Sequence, residues 1–200
     1  VSTVQRLMRL ARDGAEYRNW YGIALDDVMT LSYANEWEIG ATAAALALFS
    51  PRVTVKRSVT YAVHYMRTGE ILPTVMRGVR ASVEHYERTG TLRGPKTDAF
   101  RRAILGDQDA VVLDTWMAKA LRIDGKRFEA KRVRESAERR VVYVAHMMDW
   151  TPSETQAAIW SGTLMSFGRR VPHLQLPIPA ESFRHADRYP LHGRVSSRAG

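Results

Sequence analysis

The chain has 200 residues, 45% of them hydrophobic, which suits a single domain with a substantial core, with or without a tail. Thirty Lys and Arg against 21 Asp and Glu leave a formal charge of +9, so a polyanion is the first class of partner to consider. The sequence has no cysteine, which excludes a disulfide framework, a thiol nucleophile, a Cys-based zinc site and an iron–sulfur cluster.

In chain order, Val4, Leu7, Met8 and Ala11 share one face of a first predicted helix, and WYGIALDDVMTLSYA continues as a second. An alanine-rich helix is predicted from Glu36 to Phe49; its small side chains permit close approach on several sides, which makes it central. SPRVTV then breaks it. Val55, Val59, Ala62, Val63 and Met66 recur at helical spacing before Gly69, and Val75, Val79, Val83 and Tyr86 before Gly90, which predicts two antiparallel helices with glycine stops. A short helix follows from Thr97 to Leu105, then an extended or tightly turning link at Val111 to Leu113. Thr115 to Leu121 is a further helix, with Asp114 at its N-cap position. A long helix carries Val133, Ala137, Val141, Val144 and Met148 inward, and a last one starts near Thr151 or Ser153. No sheet is required, so the expected class is all-α with roughly nine or ten helices.

The predicted boundaries are a helical domain over 1–168 and an extended or disordered Pro- and Arg-rich tail over 169–200. From Val171 onward four arginines face Glu181 and Asp187, so most of the positive excess belongs to the body. The longest apolar stretch, Ile39 to Phe49, is too short to cross a bilayer, and the start lacks the apolar core of a signal peptide. The expectation is an intracellular protein, cytoplasmic or nucleoid-associated, with no membrane partner. None of the six histidines forms an H-x-x-x-H pair or joins a carboxylate cluster, so neither a metal nor another cofactor is expected. Trp116 and Trp160 read as core residues, and the Arg132 to Arg134 and Arg139-Arg140 clusters as a solvated helix face.

The chemistry-bearing stretch is LRGPKTDAFRRAILGDQDAVVLDTW, residues 92–116. It resembles the helix-hairpin-helix DNA glycosylase superfamily, which includes the endonuclease III and 8-oxoguanine glycosylase branches. The shared motif is a Gly-hydrophobic-Gly-x-Lys-Thr hairpin, then a helix, then a Val-Asp-x-His/Trp-like segment. Gly94-Pro95-Lys96-Thr97 matches the second half of the hairpin, and Leu113-Asp114-Thr115-Trp116 matches the aspartate segment 18 residues after the lysine. Ala47-Leu48-Phe49-Ser50-Pro51-Arg52 is similar to the superfamily's turn that pushes a polar side chain into the DNA stack, with Arg52 at the inserting position. The resemblance covers Trp37 to about Phe167 and is most specific at Lys96 and Asp114. It departs at Leu92, which stands where the first glycine belongs, and at Pro95, which removes an amide N–H. The iron–sulfur cysteines of some branches are absent.

The resemblance implies a glycosylase-like protein that binds duplex DNA, flips a nucleotide and acts at the N-glycosidic bond. Displacing a base leaves positive charge on the deoxyribose and requires an attack at C1′. A carboxylate such as Asp114 can stabilise that charge, and a lysine such as Lys96 can itself attack, with abasic-site lyase chemistry following through the imine. A lysine does so only if desolvation or neighbouring cations depress its pKa, and Arg93 and the Arg101-Arg102 pair are candidates for the latter. Arg93, Gly94 and Thr97 would bind the DNA backbone at the hairpin, and Arg52 would fill the gap left by the flipped base. Three rivals stay open: an inactive DNA-binding module on the same fold, a DNA base-modifying enzyme such as those of phage hypermodification, and a helical protein-interaction domain.

Overall fold

The architecture, taken from a computed structural model, describes residues 2–174, the side chain of Glu129 excepted. It is all-α: these residues form nine α-helices and no strand. They are α1 (Thr3–Asp13), α2 (Trp20–Asn35), α3 (Ile39–Leu48), α4 (Val55–Thr68), α5 (Arg77–Thr89), α6 (Pro95–Ile104), α7 (Thr115–Leu121), α8 (Lys131–Met148) and α9 (Pro152–Ser166), with 3-10 turns at Ala15–Tyr17 and Gly125–Glu129.

Most ends follow local chemistry. Ser2 and Gln5 form a capping box on α1, and Thr151 and Glu154 form another on α9, so each start satisfies its own free amides. Gly69 and Gly90 close α4 and α5 with φ of 72° and 67°, as expected from their positions. Two boundaries differ from expectation. The helix predicted from Glu36 starts at Ile39, because Glu36 closes α2 in the left-handed region and the Glu38 carboxylate takes the amide of Ala41 as the cap of α3. The helix predicted from Thr97 starts at Pro95, whose fixed φ is already helical and whose missing N–H costs nothing at the first position.

α3 is central, with every residue from Thr42 to Leu48 buried. α4 and α5 both pack on it and do not form a close pair; the Tyr65 hydroxyl donates to Glu87 at 2.7 Å to link them. The buried side chains fall into two clusters. The first gathers α2 to α6, and the second gathers α1, α7 and α8. α9 joins them, giving Ala157 to the first cluster and Ala158 and Ile159 to the second, while Trp160 touches both. The link ahead of α7 alternates with strand-like period: Val112 enters the first cluster, Val111 and Leu113 the second.

α1 and α9 approach so closely that glycine is required on both. A Cβ on Gly162 would collide with the Leu10 carbonyl, and one on Gly14 with the Ala158 carbonyl. After α9 the chain remains attached to the body. Val171 and Leu174 are buried in the first cluster, and the Trp20 indole donates to the Pro172 carbonyl at 2.7 Å. The packed body therefore extends past the predicted boundary at residue 168; the remainder of the expected tail lies outside the described residues.

Candidate active site

Lys96 and Asp114 arrive from opposite sides of the seam between the two clusters. Lys96 is the second residue of α6, which packs on α2 and α3; Asp114 ends the alternating link and caps α7, which packs on α9. Lys96 is half-buried. Burial lowers its pKa from the ordinary lysine value, and the negative charge of Asp114 opposes that shift. The two groups therefore sense each other through space, although they form no ion pair.

Asp114 is oriented by three donors. Its Oδ1 accepts the amides of Trp116 and Met117, both at 2.9 Å, which is an ordinary N-cap. Its Oδ2 accepts the indole N–H of Trp160 at 3.1 Å, across 46 residues of chain. Tyr21, buried, donates its hydroxyl to Gln156 Oε1 at 2.6 Å and lies within electrostatic reach of the carboxylate. Burial and then the Asp114 charge push the Tyr21 pKa strongly upward, with the Gln156 bond acting the other way, so the phenol stays neutral. Trp20 meets Tyr21 edge-on at 5.2 Å between ring centroids and Trp160 at 5.9 Å, and Phe100 stacks on Trp20 at 6.3 Å. Trp160 thus connects Asp114 to an aromatic cluster drawn from α2, α6 and α9.

The arginines do not act as expected. Lys96 is depressed by burial, with no arginine among the causes. Arg93, exposed in the turn before α6, instead helps depress His85, after burial and ahead of Arg88. Arg102 pairs with Asp98 at 3.4 Å and Asp107 at 2.9 Å.

The turn expected to bind the DNA backbone lies directly before α6. Gly94 has φ of 88°, a conformation that favours glycine, and no side chain caps α6, so the first-turn amides of Lys96 and Thr97 are left without a cap. Thr97 is largely buried as a residue, at 9% exposed. Leu92, in place of a glycine, packs against the first cluster and anchors the turn.

Arg52 is exposed, with φ of 58°. Among the described residues the other three non-glycine residues with positive φ are helix C-caps; Arg52 alone adopts it within a connecting turn, where the conformation costs on the order of 1–3 kcal/mol. Trp160 is half-buried and packs against both core clusters, as expected of a core residue, whereas Trp116 is half-buried and belongs to neither. Trp116 lies at the surface against Phe167 at 5.8 Å, with the Lys119 ammonium 3.7 Å from its ring centre. In the cluster read as a solvated face, Arg134 donates to the Phe128 carbonyl at 2.7 Å. No group of residues suited to a metal ion occurs among the described residues, and none of their helices is long and apolar enough to cross a membrane.

Tyr21, Gln156 and Phe100 were not legible as site residues. The signal available was two aromatics, Trp20 and Tyr21, opening a helix whose apolar residues are not confined to one face.

Residues 8–164 match a protein family described as a family of unknown function, DUF7178. The chain belongs to DUF7178. The match runs from α1 through nearly all of α9 and therefore includes both Lys96 and Asp114. No curated protein and no solved structure matches the chain.

Proposed function

We propose that this DUF7178 protein is a helix-hairpin-helix glycosylase-like DNA-binding enzyme that flips a nucleotide and acts at its glycosidic bond. The observation that carries the reading is the desolvated Lys96 ammonium, unpaired among the described residues, facing the Asp114 carboxylate across the seam. A lysine used only for solubility would keep its charge in water; this one is partly withdrawn from it, which lowers its pKa in the direction a nucleophile requires.

In the proposed reaction the neutral Lys96 amine bonds to C1′ as the C1′–N bond to the base breaks, and the base leaves with the electron pair and takes up a proton. Asp114 stabilises the positive charge that develops at C1′ and receives the proton lost by the lysine nitrogen. The ring then opens to an imine. Loss of a proton from C2′ and departure of the 3′ phosphate give strand cleavage. Trp160 holds Oδ2 in place and the backbone caps hold Oδ1, so the carboxylate is oriented before charge develops at C1′. Gly94, Arg93 and the first-turn amides of α6 would take a backbone phosphate, and Arg52 would occupy the vacated stack.

The deciding experiment treats a duplex carrying a natural abasic site with protein and borohydride. Lys96 adds to the sugar aldehyde, water leaves, and hydride reduces the resulting imine to a stable amine. An adduct in the wild type and none in Lys96→Ala is the expected result; an equal adduct in Lys96→Ala overturns the role of the lysine.

One observation favours a second reading, an inactive DNA-binding module. All three donors to Asp114 are those a purely structural cap would use. Salt-sensitive DNA binding without an adduct or any base release selects it.

A further inference from the structure

α4 has three Lys and Arg residues, Lys56, Arg57 and Arg67, and no acidic residue in its 14 positions. α5 and α8, by contrast, intersperse glutamates with their cations. Lys56 and Arg57 lie in the first turn, where the helix dipole opposes positive charge. Neither Lys56 nor Arg67 forms an ion pair with a described residue, and Arg57 is drawn aside over the Tyr61 ring at 5.8 Å.

Lys56, Thr60, His64 and Arg67 rim a groove whose floor is Val59 and Val63. The Thr60 hydroxyl is already committed to the Lys56 carbonyl at 3.0 Å, so the two exposed cations are the strong donors of this face. They are 11 residues apart, about 16 Å along one face of the helix, far enough to reach separate phosphates of one DNA strand. The same helix is entered from the strained Arg52 turn, two residues before its Thr54 cap.

We propose that the solvent face of α4 is a track for the phosphates of the DNA strand that passes the Arg52 turn, with Lys56 and Arg67 as its contacts. This rests on the DNA-binding reading above and adds the path of the strand. Lys56, held unpaired at the end of α4 where the dipole opposes a cation, and Arg67, exposed and without an ion pair in the last turn, both gain a partner when that strand arrives and release its condensed counterions.

The test measures affinity for a duplex carrying a non-reactive abasic analogue across a series of KCl concentrations. It compares wild type, Lys56→Ala/Arg67→Ala, and Arg9→Ala/Arg12→Ala, a double variant with the same charge change on the exposed side of α1. Thermal melts confirm that all three fold. The slope of log K against log salt is expected to become shallower by about 2 in the α4 variant and to stay at the wild-type value in the α1 variant. The borohydride adduct on a natural abasic site is read in parallel for all three proteins. An unchanged slope in the α4 variant, or an equal loss in the α1 variant, overturns the track. A shallower slope with no adduct in any protein supports the track while removing the lyase reading. Binding to phosphatidylserine vesicles but not to DNA overturns both.

Discussion

At the residue scale, the reading depends on the charge of Lys96. Its folded-state pKa is below the ordinary value of 10.5 because the charged form is desolvated, so the charge opposes folding. That opposition is fully present below the folded-state pKa and vanishes as pH rises through 10.5. Lys96→Met should therefore be at least as stable as wild type at neutral pH by urea unfolding, with its advantage shrinking in alkaline buffer. Asp114→Asn keeps a good N-cap but removes the carboxylate that raises the Lys96 pKa, so the pH profile of lysine reactivity should move to lower pH. Selective acylation of Lys96, followed by mass spectrometry, reads this midpoint; a shift to higher pH would contradict the coupling. Tyr21→Phe leaves the buried Gln156 oxygen without its donor and should cost about 1–3 kcal/mol in the same unfolding assay. The Lys96 and Asp114 positions were legible because motif spacing is local information. The cause of the lysine's depression was not, since arginines near in sequence turned out to face His85, Asp98 and Asp107.

At the element scale, α9 is the member on which the two halves depend. It packs on α1 through Gly14 and Gly162, touches both buried clusters and brings Trp160 to Asp114. Gly162→Ala forces the helices apart against a backbone carbonyl and should lower stability by about 3 kcal/mol, seen as a fall in the urea midpoint. Because α9 also carries Gln156 and Trp160, the same variant should weaken any borohydride adduct. Helix starts and stops were readable from Gly69, Gly90, Asp114 and Thr151, whose capping acts within a turn. The pairing of helices was not. Glycine stops suggested that α4 and α5 lie side by side, whereas α3, buried from Thr42 to Leu48, offers each a better apolar surface.

At the scale of the whole molecule, the described chain closes on itself beyond the last helix. Leu174 is 3% exposed and Val171 9%, both in the cluster that includes Trp20. Leu174→Ala should cost about 2–4 kcal/mol and release Trp20 toward solvent, which a red shift in tryptophan emission during otherwise native conditions would report. Composition marked this stretch as the start of a tail because prolines and arginines break helical periodicity. Absence of periodicity says nothing about burial, and an extended segment packs well when its alternate apolar residues meet a groove.

The sequence by itself determined the helical class, most helix ends, the excess positive charge and the Lys96–Asp114 spacing, because each depends on residues within a few turns or on simple sums. Only the tertiary structure decided that the pair meets at the seam of two clusters, that burial and not arginine depresses the lysine, and that Trp160 bonds the aspartate while Tyr21, bonded to Gln156, lies within its electrostatic reach. Those outcomes depend on which surfaces come together across 46 to 135 residues of chain, and desolvation exists only once they have.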